Sequence, residues 1–152
     1  AEWFALPEGA DYGNYMTVAV AGMAAGRMLE MHDFEGARDV LRRMDASGSG
    51  DVEIYRQEVR CELLFIAIVT GEGRCRLESL YTPSLRDYVE RSSRYMLSHV
   101  RLRYAWARLV EHDDAAAAEL LAKARRMCAV SPSKGDADAE MELIEWVGNI
   151  DI

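Results

Sequence analysis

His32-Asp33-Phe34-Glu35-Gly36-Ala37-Arg38-Asp39-Val40-Leu41 recurs 80 residues later as His112-Asp113-Asp114-Ala115-Ala116-Ala117-Ala118-Glu119-Leu120-Leu121. Both stretches hold His-Asp, then an alanine, an acid and a leucine at fixed positions. Each His-Asp reads as one helix stopping and the next starting, with the aspartate able to cap the new helix. A weaker copy begins at Gly71-Glu72, 39 residues after the first. Together they describe three helix–turn–helix units of roughly 40 residues each, a repeat that buries its apolar faces by stacking on its neighbours.

The flanking sequence supports helices on both sides of each turn. A first helix runs from a cap at Asn14 to about Met31, with Ala19, Gly22, Ala25 and Gly26 small enough for close helix approach. After His32-Asp33, residues 34–45 place Phe34, Ala37, Leu41 and Met44 on one apolar stripe. A Ser-Gly linker follows at 46–50, and Asp51 can cap a third helix to about Thr70, apolar all round at its centre. A shorter helix covers 72–81. Thr82-Pro83 reads as an N-cap with proline at the first helical position. Residues 83–111 form one long helix or two, with Ser92-Ser93 as the break. Helices over 114–129 and from an Asp136 cap to Val147 complete the chain, the last stopped by Gly148. No alternating strand pattern with a hairpin turn occurs, so the expected class is all-α.

The 152 residues suffice for one domain with a real core. The expected organisation is an extended arm at 1–13, a helical domain at 14–147 and a tail at 148–152. The net charge of −8 disfavours nucleic acid and anionic membranes as main partners, since both reward a basic surface. The charge is unevenly spread: residues 86–126 hold nine Arg or Lys against six Asp or Glu, whereas residues 133–152 are acidic. The three cysteines have no metal or disulfide spacing, which fits a reducing, cytoplasmic compartment. The longest apolar run, Leu63 to Val69, is seven residues; spanning a bilayer takes ~20. The first residue is not methionine, which fits a segment of a longer protein.

The frame resembles the tetratricopeptide repeat, whose second helix follows a tight turn and carries a small residue four positions before a large apolar one. Ala37/Leu41 and Ala117/Leu121 match that pattern, and Ala25 and Ala105 stand at the small position of the first helix. The usual Trp-Leu-Gly start and closing proline are missing, and Arg76 stands where alanine belongs in the middle copy. The resemblance covers 14–147 and implies an α-solenoid of about three antiparallel helix pairs with a C-terminal capping helix. More weakly, Ser131 to Ile144 is similar to the end of the soluble C-terminal helical domain of bacterial site-2-protease-like (M50-type) membrane proteins. That likeness implies a cytosolic part of a membrane protein. It carries over no protease chemistry, because no His-Glu-x-x-His occurs.

Catalytic constellations are absent from the pattern. His32 and His112 are explained by their turns, His99 is isolated, and neither Cys61 nor Cys128 has a base nearby in sequence. No cofactor is expected, and the expected role is a non-catalytic one: binding a protein or peptide. The resemblance places a concave groove on the first helix of each pair, at Glu58, Cys61 and Phe65 in the middle unit and His99, Leu102 and Trp106 in the third. An open groove would leave Trp106 partly exposed. Alternatively, Trp3 and Phe4 of the arm fill the groove and the domain is purely structural. A small all-α enzyme with a pocket invisible in sequence is the other reading. Arg94, Arg101 and Arg108, at seven-residue spacing with Arg91 one turn earlier, form a basic stripe for an acidic partner or a solvated face paired with Glu90, Glu111 and Glu119.

Overall fold

The computed structural model describes residues 15–46 and 55–152. The expected arm at 1–13 and the caps at Asn14 and Asp51 lie outside them. Among the described residues there are eight helices and no strand, so the all-α class holds: α1 Tyr15–Glu30, α2 Phe34–Ala46, α3 Arg56–Val69, α4 Arg74–Leu80, α5 Pro83–Ser92, α6 Leu97–Ala105, α7 Asp114–Val130 and α8 Lys134–Gly148. The chain divides into two compact units, Ala1–Ile66 and Ala67–Ile152, with the boundary inside α3.

In the first unit α1 and α2 form a helical hairpin. Ala21, Ala24, Ala25 and Leu29 of α1 are buried, as are Ala37, Val40, Leu41 and Met44 of α2. Those positions repeat at helical spacing, so each helix buries one stripe, and the alanines allow close approach. The glycines do not serve that purpose. A Cβ added at Gly22 or Gly26 would meet nothing within 4 Å, so they face away from the contact. Arg56 at the start of α3 donates to the Asp45 carbonyl at 2.8 Å and to its carboxylate at 3.2 Å, tying the end of α2 to α3. From Leu64 to Ile68 the apolar centre of α3 is buried, with Leu64, Phe65 and Ile66 fully inaccessible.

The repeated turns share one backbone solution. His32 has φ 58°, Gly71 81° and His112 54°, each the left-handed residue after a helix. At the first turn Asp33 N–H donates to Met28 O at 2.8 Å and His32 N–H to Leu29 O at 3.0 Å. At the second, Glu72 N–H donates to Ala67 O at 3.1 Å and Gly71 N–H to Ile68 O at 3.2 Å. Both are the same helix-ending motif, which satisfies carbonyls the helix would otherwise leave unpaired. Asp33 and Asp113 then accept from Gly36 N–H at 2.9 Å and Ala116 N–H at 3.0 Å, capping the next helix. The weak middle copy is therefore a turn of the same kind, with glycine in the histidine's place. Its following helix has only seven residues and buries Leu77 while Arg76 is exposed.

The third turn is wider by one residue. α6 continues into a π-helical turn, Trp106–Val110, and Asp113 N–H reaches back to Ala107 O at 2.8 Å. Gly71→Ala should thus cost about 1–2 kcal/mol, the penalty of a side chain in the left-handed region. Gly73→Ala should be near neutral, because Gly73 is extended (φ −66°, ψ 151°) and faces open space. Urea denaturation of the two variants checks this, and equal losses would contradict the turn assignment.

In the second unit α6 is the core helix, packed against α5, α7 and α8. His99, Val100, Arg101, Leu102, Tyr104 and Ala105 are all buried, a helix covered on every side. Thr82 Oγ1 accepts from Leu85 N–H at 3.2 Å, the expected cap before Pro83. The break after Ser92 is real. The last helix differs from expectation: it begins at Lys134 after Ser133, and Asp136 sits in its first turn, where its carboxylate accepts from Ser133 Oγ at 2.7 Å.

Candidate functional site

The six residues expected to line a groove are mostly interior. Cys61 and Phe65 are buried on α3, and Glu58 is half-buried. His99 and Leu102 are buried on α6. Trp106 begins the π turn and is 6% exposed, which corrects the expectation of a partly exposed indole. Its surroundings explain why. Tyr81 packs edge-on with centroids 4.8 Å apart, and the Arg86 guanidinium lies 4.1 Å from the Tyr81 centroid and 4.8 Å from that of Trp106. The indole N–H donates to Glu111 Oε1 at 3.0 Å. Both the ring face and the polar edge of Trp106 are therefore satisfied within the chain.

His99 has a structural partner. Its Nδ1 is hydrogen-bonded to Ser92 Oγ, and Tyr88 packs edge-on to its ring at 5.3 Å. Ser92 Oγ also lies 2.6 Å from the Tyr88 carbonyl, which can only accept. The hydroxyl proton goes there, so His99 Nδ1–H donates to the serine and takes no proton from it. Ser92 and His99 are 3% and 1% exposed, and the pair is not arranged for nucleophilic catalysis.

The expected arginine stripe does not exist as one face, because α5 ends at Ser92 and α6 starts at Leu97. Arg91 pairs with Asp87 on α5 at 3.0 Å. Arg101 is 1% exposed and donates from Nη1 to both carboxylate oxygens of Glu140 on α8, at 2.9 and 2.8 Å. Its partner is none of the expected Glu90, Glu111 or Glu119. Arg108 is half-buried.

Arg94, in contrast, lies at the lip of an open hollow of about 430 Å³. The segment between α5 and α6 forms one wall with Tyr95 and Met96, and the end of α7 forms another with Met127 and Val130. Val130 and Tyr95, 82% and 74% exposed, are the two most exposed large apolar side chains among the described residues. Lys123 and Arg126 stand on α7 in the turn before Met127, and Arg103 donates to Ser93 Oγ at 2.9 Å, beside Arg94. Partial burial first, then the charges of Arg103, Arg94 and Arg126, hold the Lys123 ammonium below the usual lysine range. Lys134 Nζ closes this same C-terminal end of α7 by donating to the Cys128 and Ala129 carbonyls at 2.9 and 2.8 Å.

No protein-family model matches the chain, nor is any curated protein or solved structure significantly similar to it. What this site can do therefore rests on its own geometry.

The hollow offers apolar contact between Arg94 on one side and the carboxylates of Asp136 and Glu140, the latter paired with Arg101, on the other. Cys128, near its rim, is pushed up by desolvation and then by its 3.6 Å contact with Asp138, which keeps it a thiol. Among the described residues no group of three His, Cys, Asp or Glu side chains is placed to hold a metal, and no helix is long and apolar enough to cross a membrane. Sequence reasoning missed Tyr95, Met127 and Val130. The signal was an aromatic and a methionine placed directly after a helix break, where apolar residues have no helical stripe to join.

Proposed function

We propose that this chain is a protein-binding helical module of the tetratricopeptide-like kind, a short solenoid working in a reducing compartment, and that it binds rather than catalyses. The observation that supports it most is that the two most exposed large apolar side chains among the described residues, Tyr95 and Val130, come from different segments to line one hollow. Solvated apolar side chains gathered around a concavity are the usual mark of a protein contact, whereas scattered ones are not. A hollow of this size accepts an apolar side chain of a peptide, with Met127 able to adapt to its shape. The reading serves equally for a free module and for the helical part of a longer membrane protein.

Panning a random peptide library on the chain tests this. Enriched peptides should bind the parent and lose about tenfold or more in affinity for Tyr95→Ser with Val130→Ser, a hot-spot loss. The melting temperature should stay the same, because both side chains are exposed. Failure to enrich any peptide, or equal binding to the double variant, would overturn the proposal.

A further inference from the structure

Arg94, Arg103, Lys123 and Arg126 make no ion pair with a carboxylate among the described residues. Arg42, Arg76, Arg86 and Arg125 also make none, but they lie apart from this group on other faces or helices, whereas other surface arginines are paired locally. Arg27, Arg38, Arg43, Arg74 and Arg91 each reach an acid three or four positions away on the same helix. Acids outnumber bases 26 to 18 in the chain, so partners are not scarce. Four cations nonetheless gather where α7 passes the segment between α5 and α6, and Lys123 carries the cost of that gathering. Clustered like charges are unfavourable for the free fold and become favourable only when an anion joins them.

We propose that the occupant of the Tyr95–Val130 hollow is an acidic segment of another protein: one apolar side chain in the hollow, with carboxylates beside it on Arg94, Lys123 and Arg126. The inference rests on the binding-module reading and specifies its ligand. The far rim decides between a short acidic segment and an extended polyanion. Asp136 lines the hollow itself, and Asp138, Glu142 and Glu145 follow on α8. Screening confines surface charges to about 8 Å at physiological salt. A short run of carboxylates can sit on the cations of α7 and Arg94, while a phosphate backbone or a membrane face extends along the acidic residues of α8 as well.

The experiment uses fluorescence anisotropy with two labelled peptides, one leucine followed by four glutamates and its counterpart with four glutamines. At about 150 mM salt, the acidic peptide should bind the chain at least tenfold more tightly, as expected for several exposed ion pairs acting together. Arg94→Gln/Lys123→Gln/Arg126→Gln should erase that advantage, as should raising the salt. Tyr95→Ser should weaken both peptides. If the two peptides bind equally and both depend on Tyr95, the acidic ligand is wrong and the module reading stands. If the acidic peptide binds regardless of Tyr95, the contact is nonspecific charge attraction and the proposal falls. Tighter binding to duplex DNA, or to vesicles of equal parts phosphatidylcholine and phosphatidylserine, would also overturn it. So would binding of neither peptide, while peptides enriched by panning would still uphold the module reading.

Discussion

Glu140→Gln is expected to lower the stability of the chain by about 3 kcal/mol, near the low end for breaking a buried ion pair. Arg101 is almost fully enclosed and directs one nitrogen at both oxygens of Glu140, whose side chain is 30% exposed. Taking away the carboxylate charge leaves a buried guanidinium without the counter-charge of Glu140. Thermal unfolding should shift down by about 10 °C for a chain of this size. Replacing both partners by apolar residues, Arg101→Met with Glu140→Leu, should recover much of the loss, because the desolvation cost of the pair disappears with its attraction. A single variant as stable as the parent would mean the pair is solvated in solution. A double variant worse than either single would mean that its hydrogen bonds hold α6 and α8 in register.

Trp106→Ala should be at least as costly, about 3–5 kcal/mol, as for other buried aromatic truncations. The indole contributes its area, its edge contact with Tyr81, its cation contact with Arg86 and a hydrogen bond to Glu111. Trp106→Phe should restore part of the packing but leave Glu111 without the indole donor. The comparison separates two roles for this residue. In an open groove its truncation would leave stability within the small range typical of surface changes, ~0.5 kcal/mol, and would abolish binding instead. Urea denaturation of the two variants, read with peptide binding, distinguishes them.

The helix boundaries were legible where chemistry is local. The two His-Asp pairs, Thr82-Pro83 and the Ser92-Ser93 break each act within four residues, and each does in the structure what its sequence suggests. Asp136 failed as a cap because the helix already begins at Lys134, and a carboxylate is equally at home inside the first turn. The arginine stripe failed for a different reason. Heptad arithmetic holds only while the helix is continuous, and the segment at 93–96 resets it. Trp106 and the cation cluster lie beyond local reading altogether. The burial of Trp106 is set by Tyr81 and Arg86, more than fifteen residues away, and the cluster exists only because α6 and α7 pack together. Of the small residues expected on α1 to allow close approach, Ala25 is buried, but helical phase adds Ala21 and Ala24 in place of Gly22 and Gly26.

The widened turn at Trp106–Val110 bears on how such a chain tolerates changes of length. The first two left-handed turn residues are 39 apart and the next two 41, and the π turn takes up one of the two added residues. One extra residue in a helix ordinarily rotates everything after it by about 100°, which would swing the following helix off its packing face. Here a single loose loop of backbone takes up the addition between the Trp106 carbonyl and the Glu111 amide, and the left-handed residue and aspartate cap that follow are the same as in the first copy. Spacing between these turns is thus elastic while the turns themselves are rigid: a residue is added inside a helix, and the left-handed residue and helix-capping bond at His112-Asp113 keep the pattern seen at His32-Asp33.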